Sequence, residues 1–260
     1  MAVRAHFSVL LSVWRALFLR EAVARLSQTP TAWLWIVVEP LAHVVFLMML
    51  FGVVRHTTIY GVGGAPFIMT GVLPFIMFRN IAGRSRDAID ANKALFAYRQ
   101  VKPVDAVVTR AFLECFLTVI AGLTLLAGAG LFGLDVVPQD PLRVVRAFAS
   151  IALFGLGFGL FFSVAGDLLP NVGRFVKVMM TPLYFLSAVM YPSYGIHQPY
   201  RDLLLLNPLI HGVEDVRAGF FSSYRVPPEL NLGYLSIVGL VLVFLGLALQ
   251  VRYQARLVAR

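Results

Sequence analysis

A glutamate and a histidine interrupt the first long apolar stretch of this sequence, at residues 33–54. Trp35, Glu39, His43 and Phe46 recur at intervals of four, four and three residues, so a helix would carry all four on one face. A carboxylate costs about 2.5 to 3.5 kcal/mol at the centre of a lipid-embedded helix and less near its end, where we expect Glu39. The side chain is therefore predicted to face protein or water, either bonding to a neighbouring helix or contacting a substrate.

The apolar stretch at 106–134 carries a second set of polar residues. Arg110, Glu114 and Thr118 are spaced by four and share a helix face, so Arg110 and Glu114 are predicted to form an ion pair near one end of the stretch. Glu39 and Glu114 are the main ionisable residues inside apolar stretches, and both lie near the same boundary. The sequence therefore gives little support to a proton relay across a membrane.

Motifs for catalysis are absent from the sequence. It contains no Gly-x-x-x-x-Gly-Lys-Ser/Thr loop for nucleotide phosphates, no His-Glu-x-x-His metal motif and no Gly-x-Ser-x-Gly nucleophile elbow. The five histidines lack metal-ligand spacing, and the single cysteine, Cys115, is predicted to be a packing residue. We therefore expect no catalytic residue, no metal site and no cofactor in this chain.

Six apolar stretches must position these residues. Most of them reach the ~20 residues that an α-helix needs to cross a bilayer, and they cover 33–54, 66–81, 106–134, 144–169, 176–190 and 232–251. The second and fifth are short, so we expect tilt or an irregular path there. The predicted fold class is all-α, with six transmembrane helices in a single domain over residues 1–260. Gly155, Gly157 and Gly159 in the fourth stretch predict close helix packing.

Lysine and arginine fall mainly on alternate sides of these stretches. With the N-terminus in the cytoplasm, that side receives 16 of the 22 basic residues, and the other side receives only Arg55, Arg143, Arg146, Arg201, Arg217 and Arg225. The positive-inside rule therefore predicts that both termini are cytoplasmic. The same bias accounts for the formal charge of +9, so nucleic acid is not expected as a partner. A multi-pass protein without catalytic motifs is most simply a transport pathway driven by an ion gradient or by another subunit.

Three segments lie outside these stretches. Residues 4–28 place apolar side chains at three-and-four spacing, which predicts an amphipathic helix on the inner leaflet or an ordinary membrane-proximal helix. Arginines interrupt this segment, so no cleavable signal peptide is expected. The mixed-charge loop at 82–103 predicts a short cytoplasmic helix, serving either as a partner site or as a solvated linker. Residues 191–230 are apolar but broken by five prolines, which is typical of re-entrant or interfacial helices.

Three runs of sequence resemble a known family. After an amphipathic N-terminal helix, the chain contains WLWIVVEP at 33–40, TPLYFLS at 181–187 and NPLIHGVEDVR at 207–217. Together these features resemble the membrane permeases of ABC-2 type polysaccharide exporters. The likeness covers essentially the whole chain and is greatest to the capsular-polysaccharide branch, with O-antigen exporters as close relatives. The resemblance implies a Gram-negative inner membrane, a homodimer and two cytoplasmic ATPase subunits that bind ATP and Mg²⁺. It also implies a periplasmic co-polymerase, an outer-membrane channel and re-entrant helices over residues 192–228.

The resemblance also implies a coupling helix in the loop after the second span, here residues 84–99, that docks on the ATPase. The residues expected at this contact are Arg84, Arg86, Asp87, Asp90, Lys93, Phe96 and Tyr98.

The expected function is export of a lipid-linked capsular polysaccharide through a conduit along the dimer interface, lined by the first and fifth spans. Aromatic side chains with polar tips suit sugars, which present apolar faces and hydroxyls. The conduit candidates are Trp35, Glu39, His43, Phe46, Tyr184, Tyr191 and Tyr194. For the last two, a place in an interfacial aromatic belt is the alternative. Other functions that fit are export of O-antigen or drugs, or an intramembrane enzyme, for which Ser163, Ser187 and His211 show no supporting arrangement.

Overall fold

Long helices account for most of the chain. The computed structural model describes residues 2–27, 30–52, 61–98 and 100–258, and this part of the chain is helical with no strand. The helices are α1 (Ala2–Leu26), α2 (Ala32–Gly52), α3 (Gly64–Arg86), α4 (Ala88–Ala91), α5 (Pro103–Leu131), α6 (Pro141–Leu168), α7 (Pro170–Leu186), α8 (Tyr200–Leu205), α9 (Pro208–Phe220), α10 (Leu232–Arg252) and α11 (Gln254–Val258). Single 3₁₀ segments cover Lys93–Ala97 and Ser193–Gly195. The all-α prediction is confirmed for these residues.

Polar side chains fix where several helices begin. Asp140 accepts a hydrogen bond from the Arg143 backbone N–H at 2.9 Å, with a proline in the first position of α6. Asn207 caps α9 in the same way, again followed by a proline. Asn231 caps α10 through the Gly233 N–H at 2.8 Å. Each cap satisfies a backbone donor that the first turn leaves unpaired, so these loop-to-helix transitions are set locally by sequence.

Among the described residues, five helices are long and apolar enough to cross a membrane: α2, α3, α5, α6 and α10. The fifth predicted span, 176–190, overlaps α7, which starts earlier and ends earlier and is 17 residues long. That length corresponds to about 26 Å, slightly short of a typical hydrocarbon core. The second predicted span, 66–81, lies within the longer helix α3.

Helix α3 forms the centre of the bundle. Most of its side chains are buried, and it packs against α2, α5, α6 and α9. Helix α10 packs on the far side of α6 through glycines on both helices: a Cβ at Gly157 would lie 2.7 Å from the Gly239 carbonyl oxygen, and one at Gly246 would lie 2.6 Å from Leu160 Cβ. The prediction of close packing along the glycines of α6 is confirmed.

The loop at 87–98 differs from the single helix predicted over 84–99. Helix α3 continues through Arg86, α4 is one turn long, and a 3₁₀ turn follows it. Asn92 explains the break, because its side-chain amide donates to the Ala88 carbonyl at 2.9 Å and also to Glu21 at 2.8 Å. The side chain thus ends α4 while tying the loop to α1.

The proline-rich region contains two short helices, α8 and α9. Helix α8 has six residues and is largely exposed, whereas α9 has 13 residues and is almost wholly buried against α3 and α6. Neither is long enough to cross a bilayer, since α9 corresponds to about 20 Å.

Candidate conduit and coupling sites

Glu39 and Arg79 form an ion pair on the outer face of α2 and α3. Arg79 Nη2 donates to Glu39 Oε1 at 2.8 Å. The pair gives Glu39 the neighbouring-helix partner that one alternative predicts. The side chains are nevertheless 55% and 35% exposed, although both lie inside helices able to span a membrane. Exposed charges at such depth require water, polar substrate or another protein surface rather than lipid.

Behind this pair, α2 and α7 meet through a hydrogen bond between polar rings. His43 Nε2 lies 2.8 Å from the Tyr184 hydroxyl oxygen, and the two rings pack edge to face. Tyr184 also packs edge to face on Phe75 of α3, with ring centroids 4.9 Å apart. Tyr184 is buried, so its ring supports the face formed by α2 and α7 rather than forming its outer surface.

The other conduit candidates fall into two places. Trp35 and Phe46 are more than 60% exposed on α2, on the same face as Glu39. Tyr191 is half-buried after α7 and donates its hydroxyl to the Phe185 carbonyl at 2.7 Å. Tyr194 is exposed in the 3₁₀ turn that follows. The structure therefore brings His43 and Tyr184 together, leaves Trp35, Glu39 and Phe46 exposed on one face of α2, and places both later tyrosines at one end of α7.

A network of charged side chains joins α1 to the ends of α3 and α5. We call Glu21, Arg25, Arg84, Asn92, Arg110 and Glu114 the N-terminal cluster. Glu21 Oε2 accepts from Arg110 Nη2 at 2.8 Å, and Arg84 pairs with Glu114 at 3.0 Å. The prediction of an Arg110–Glu114 ion pair is therefore wrong, because Arg110 pairs with Glu21 of α1 and Glu114 pairs with Arg84 of α3. Arg20 also donates to Asn92 Oδ1.

The environment of Glu21 favours its charged form. Burial alone would raise its pKa, but hydrogen bonds from Asn92 and Arg110 outweigh burial and hold the pKa below the usual value of 4.5. A few residues away, the Trp14 indole N–H donates to Asp105 at 2.9 Å, and the same carboxylate accepts the Lys102 backbone N–H at the start of α5. Helix α1 is thus fastened to α5 at two points.

The predicted coupling residues separate into buried and exposed sets. Phe96 and Arg86 are buried, and Arg84 is engaged by Glu114. The exposed set is Asp87, Asp90, Lys93 and Tyr98, among which Lys93 pairs with Asp90 at 2.8 Å. The exposed set lies on the short segments between α3 and α5, so it forms a surface of mixed charge held in place by the buried residues.

A second cluster was missed by the sequence reasoning. Fully buried Arg217 on α9 donates to the carbonyl oxygens of Ala188 and Val189 at 2.7 and 2.6 Å, and to Glu214 at 3.1 Å. Its guanidinium carbon lies 3.9 Å above the Phe67 ring. We call Ser193, Glu214, Arg217 and Tyr224 the α9 cluster.

Glu214 completes the α9 cluster. Its carboxylate accepts the Tyr224 hydroxyl at 2.8 Å and the Ser193 backbone N–H at 3.2 Å. The available signal was the three-residue spacing of Glu214 and Arg217 within an otherwise apolar run, which places opposite charges side by side on one helix. In the sequence prediction, Arg217 is only one of the six basic residues on the non-cytoplasmic side. The cluster instead fastens α9 to the chain that leaves α7.

The fold and these sites define an all-helical membrane protein in which charged networks tie short helices to a bundle of long apolar ones. The sequence profile of the ABC-2 type transporters matches residues 12–221, so the chain belongs to this family and is a transport protein rather than an enzyme.

Individual relatives are more specific. The chain is similar to the polysialic acid transport protein KpsM of Escherichia coli, with 35% identity over 95% of each chain. It is 30% identical to the capsule polysaccharide export inner-membrane protein CtrC of Neisseria meningitidis serogroup A, over 92% of this chain and 89% of the relative. The capsule polysaccharide export inner-membrane protein BexB of Haemophilus influenzae is 28% identical, over 91% and 89%.

Proposed function

We propose that this chain is the permease subunit of an ABC exporter that moves a lipid-linked capsular polysaccharide across a bacterial inner membrane. The family, the names of the most similar relatives and the near-complete coverage of both chains support this assignment. Because the sequence has no phosphate-binding loop, ATP and Mg²⁺ would be bound by a separate ATPase subunit.

The exposed Glu39–Arg79 pair carries the proposal for the conduit. A hydrogen-bonded pair of charges, flanked by exposed Trp35 and Phe46, is poorly suited to a lipid-facing surface and well suited to a path for hydroxyl-rich sugars. We infer that two copies of the chain face each other across α2 and α7, with the polymer passing between them. Tyr184 and His43 would hold the wall from behind, and Tyr191 and Tyr194 would line its far end.

The membrane arrangement follows from this assembly. Counting α7 as a sixth span would make the number of crossings even and so put both termini on the same side of the membrane. The distribution of basic residues favours the cytoplasmic side. Helix α1 would lie on the inner leaflet, and α8 and α9 would be re-entrant or interfacial helices on the periplasmic side. A periplasmic co-polymerase and an outer-membrane channel would receive the polymer.

The exposed residues Asp87, Asp90, Lys93 and Tyr98 would form the docking surface for the ATPase. Arg84, Arg86 and Phe96 would transmit its movement, since they join this surface to α3 and α5. Arg86 and Phe96 are buried and Arg84 is paired with buried Glu114, so these three connect the surface to the bundle, whereas the four exposed residues are free to contact a partner.

Deletion of the gene tests the proposed function. Glycan is measured on the surface of intact cells by antibody or lectin labelling and, in parallel, in permeabilised cells. We expect capsular polymer to accumulate inside the deletion strain and surface display to return with the wild-type gene on a plasmid. A Glu39→Ala, Arg79→Ala double variant that inserts normally should restore little surface polymer, whereas Leu240→Ala, on an exposed face of α10, should restore it fully.

Unchanged surface capsule in the deletion strain would contradict capsule export. Loss of surface O-antigen with normal capsule would instead assign the chain to O-antigen export, so both glycans are measured in the same strains.

A further inference from the structure

An apolar cavity opens on the side of the bundle between α5 and α6. It has a volume of about 500 Å³, with α3 behind it and α9 at one end. Each of these four helices contributes lining residues, among them Leu73 of α3, Gly122 of α5, Phe148 of α6 and Val216 of α9. In the part of the chain that the structure describes, no lining residue comes from α2 or α7, so the cavity is separate from the proposed conduit.

The chemistry of the walls selects an apolar occupant. No charged side chain lines the cavity within the described residues. Its polar side chains there are Cys115, Thr118 and Thr70, whose hydroxyl donates to the Pro66 carbonyl at 2.8 Å. At the mouth, Leu123 and Val145 are more than 60% exposed and continue into the apolar outer surface of α5 and α6. Because both helices are long and apolar enough to span a membrane, the mouth opens toward the hydrocarbon of the bilayer.

The size of the cavity distinguishes between two apolar occupants. A helix about 10 Å across and about 22 Å long occupies on the order of 1,700 Å³, which is several times the space available. A partner helix could therefore only cover the mouth, whereas a single flexible hydrocarbon chain could enter and fill the cavity.

Helix α6 carries a basic residue among the positions that line the cavity, although this residue does not itself line it. Arg146 is exposed near the start of α6, next to Val145 and one turn before Ala149, both of which line the cavity. No acidic side chain among the described residues lies within salt-bridge distance of Arg146, in contrast to Arg143, which pairs with Asp215 at 2.7 Å. An arginine near the end of a membrane helix extends its guanidinium to the headgroup level, where phosphate groups lie.

We propose that this cavity is a binding site for one membrane phospholipid, with an acyl chain inside the cavity and the phosphate paired with Arg146. All lipid tails are similarly apolar, so the acyl chain contributes affinity to the site without discriminating between lipids. Selectivity therefore comes from the phosphate. Because Val216 and Phe220 of α9 form part of the wall, the bound acyl chain stabilises the packing of α9 against α6.

Two glycines on α5 give a matched test. A Cβ at Gly122 would meet only the Leu73 side chain, at 3.9 Å or more, so Gly122→Leu fills the cavity without a backbone clash. A Cβ at Gly128 would meet nothing within 4 Å, and Gly128 does not line the cavity. Gly128→Leu therefore makes the same change on the same helix outside the site. Ala149→Leu, at the mouth, fills the cavity independently of Gly122.

The full chain is purified in detergent, stripped of lipid, and titrated with dioleoyl phosphatidylglycerol or with uncharged dioleoylglycerol. Binding is measured by native mass spectrometry, and unfolding temperatures without lipid establish that each variant is folded. We expect one phosphatidylglycerol per wild-type chain, with affinity lowered about tenfold or more by Gly122→Leu and by Ala149→Leu and unchanged by Gly128→Leu. Arg146→Gln should weaken phosphatidylglycerol about threefold and leave dioleoylglycerol unaffected.

Equal binding by the Gly122→Leu and Gly128→Leu variants would overturn the proposal. So would wild-type protein that binds both probes equally, because the phosphate would then have no role. If the cavity-filling variants keep lipid but lose a co-purifying membrane protein, the face is a protein docking surface and the lipid assignment is wrong. None of these readouts depends on transport, so failure of the lipid site would be distinct from failure of the proposed function.

Discussion

The N-terminal cluster and the α9 cluster occupy opposite ends of α3 and use the same pairing of glutamate with arginine. In the N-terminal cluster the partners come from distant segments, since Glu21 binds an arginine 89 residues away on α5. Several of its arginines are partly exposed, including Arg84 and Arg25. In the α9 cluster, Glu214 and Arg217 are three residues apart, fully buried, and bonded largely to backbone and tyrosine.

This difference bears on what each end can do. The two carboxylates of this cluster are buried, but each has two partly exposed arginines within 3.7 Å, so it can exchange one arginine for the other. Such exchange suits the end that we propose contacts an ATPase. A buried pair whose remaining groups are bonded is expensive to disrupt, because removing one partner leaves an uncompensated charge. The α9 cluster therefore attaches α9 rigidly to the chain that follows α7, whereas the N-terminal cluster attaches α1 to α3 and α5 in a way that can adjust.

Removing Arg217 should have the largest effect. Arg217→Met leaves Glu214 buried without its cation and frees two carbonyl groups, so we expect a loss of about 3 to 5 kcal/mol of unfolding free energy. The measurement is chemical unfolding in detergent. Adding Glu214→Gln to the variant should recover part of this loss. If Arg217→Met alone unfolded like wild type, the α9 cluster would not be a fixed attachment.

Gly71 on α3 makes room for Arg217. A Cβ there would lie 2.3 Å from Arg217 Nη2 and 2.4 Å from the Val189 carbonyl oxygen. Gly71→Ala should therefore cost about 1 to 3 kcal/mol. The matched variant Gly128→Ala, which meets no neighbour, should be neutral or stabilising by up to about 1 kcal/mol. Equal unfolding free energies for the two variants would show that the guanidinium lies elsewhere.

The corresponding change at the other end should be milder. Glu21→Gln keeps the shape of the side chain but weakens its bonds to Asn92 and Arg110, so we expect about 1 kcal/mol. Hydrogen exchange should show faster opening of α1 without a change in α9. Arg15→Gln, an exposed charge change on α1, serves as the control and should leave exchange unaltered.

Acidification should weaken the contacts of His211 on α9 before those of Glu21 in the N-terminal cluster. His211 accepts the Asn231 N–H at Nδ1 and lies 2.9 Å from the Leu205 carbonyl at Nε2, and burial holds its pKa below 6.5. The folded state therefore favours neutral imidazole, and the stability it contributes is present above pH 6.5 and lost as pH falls through the folded pKa. Glu21, with a pKa below 4.5, loses its contribution only at lower pH.

Hydrogen exchange between pH 7.5 and pH 4, corrected for the intrinsic rate, measures this order. Amides of residues 205–231 should lose protection first and α1 later. His211→Gln should abolish the earlier step, and Glu21→Gln the later one. If α1 lost protection at a higher pH than α9, the predicted order of acid sensitivity would be wrong.

Much of the scaffold follows from the sequence alone. Long apolar runs predict the main helices because a bilayer requires internally bonded backbone, and the glycines of α6 predict close contact with another helix. Glu39 is predicted to need a partner. Which residues pair with each other is harder to predict from the sequence. Arg110 and Glu114 have the spacing of a helical ion pair, but they pair instead with Glu21 and Arg84, which lie on other helices. Only the tertiary fold determines where those helices lie. For Glu214 and Arg217, the sequence shows adjacency but not burial.

Photo-crosslinking in living cells tests the conduit most directly. A photoreactive amino acid replaces Phe46 on α2 or, as the control, Leu240 on α10; both positions are more than half exposed on helices able to span a membrane. If the face of α2 lines the export path between two copies, position 46 should capture both glycan and a second copy of the chain, and position 240 should capture neither. Equal capture at the two positions, or only lipid at position 46, would contradict the account.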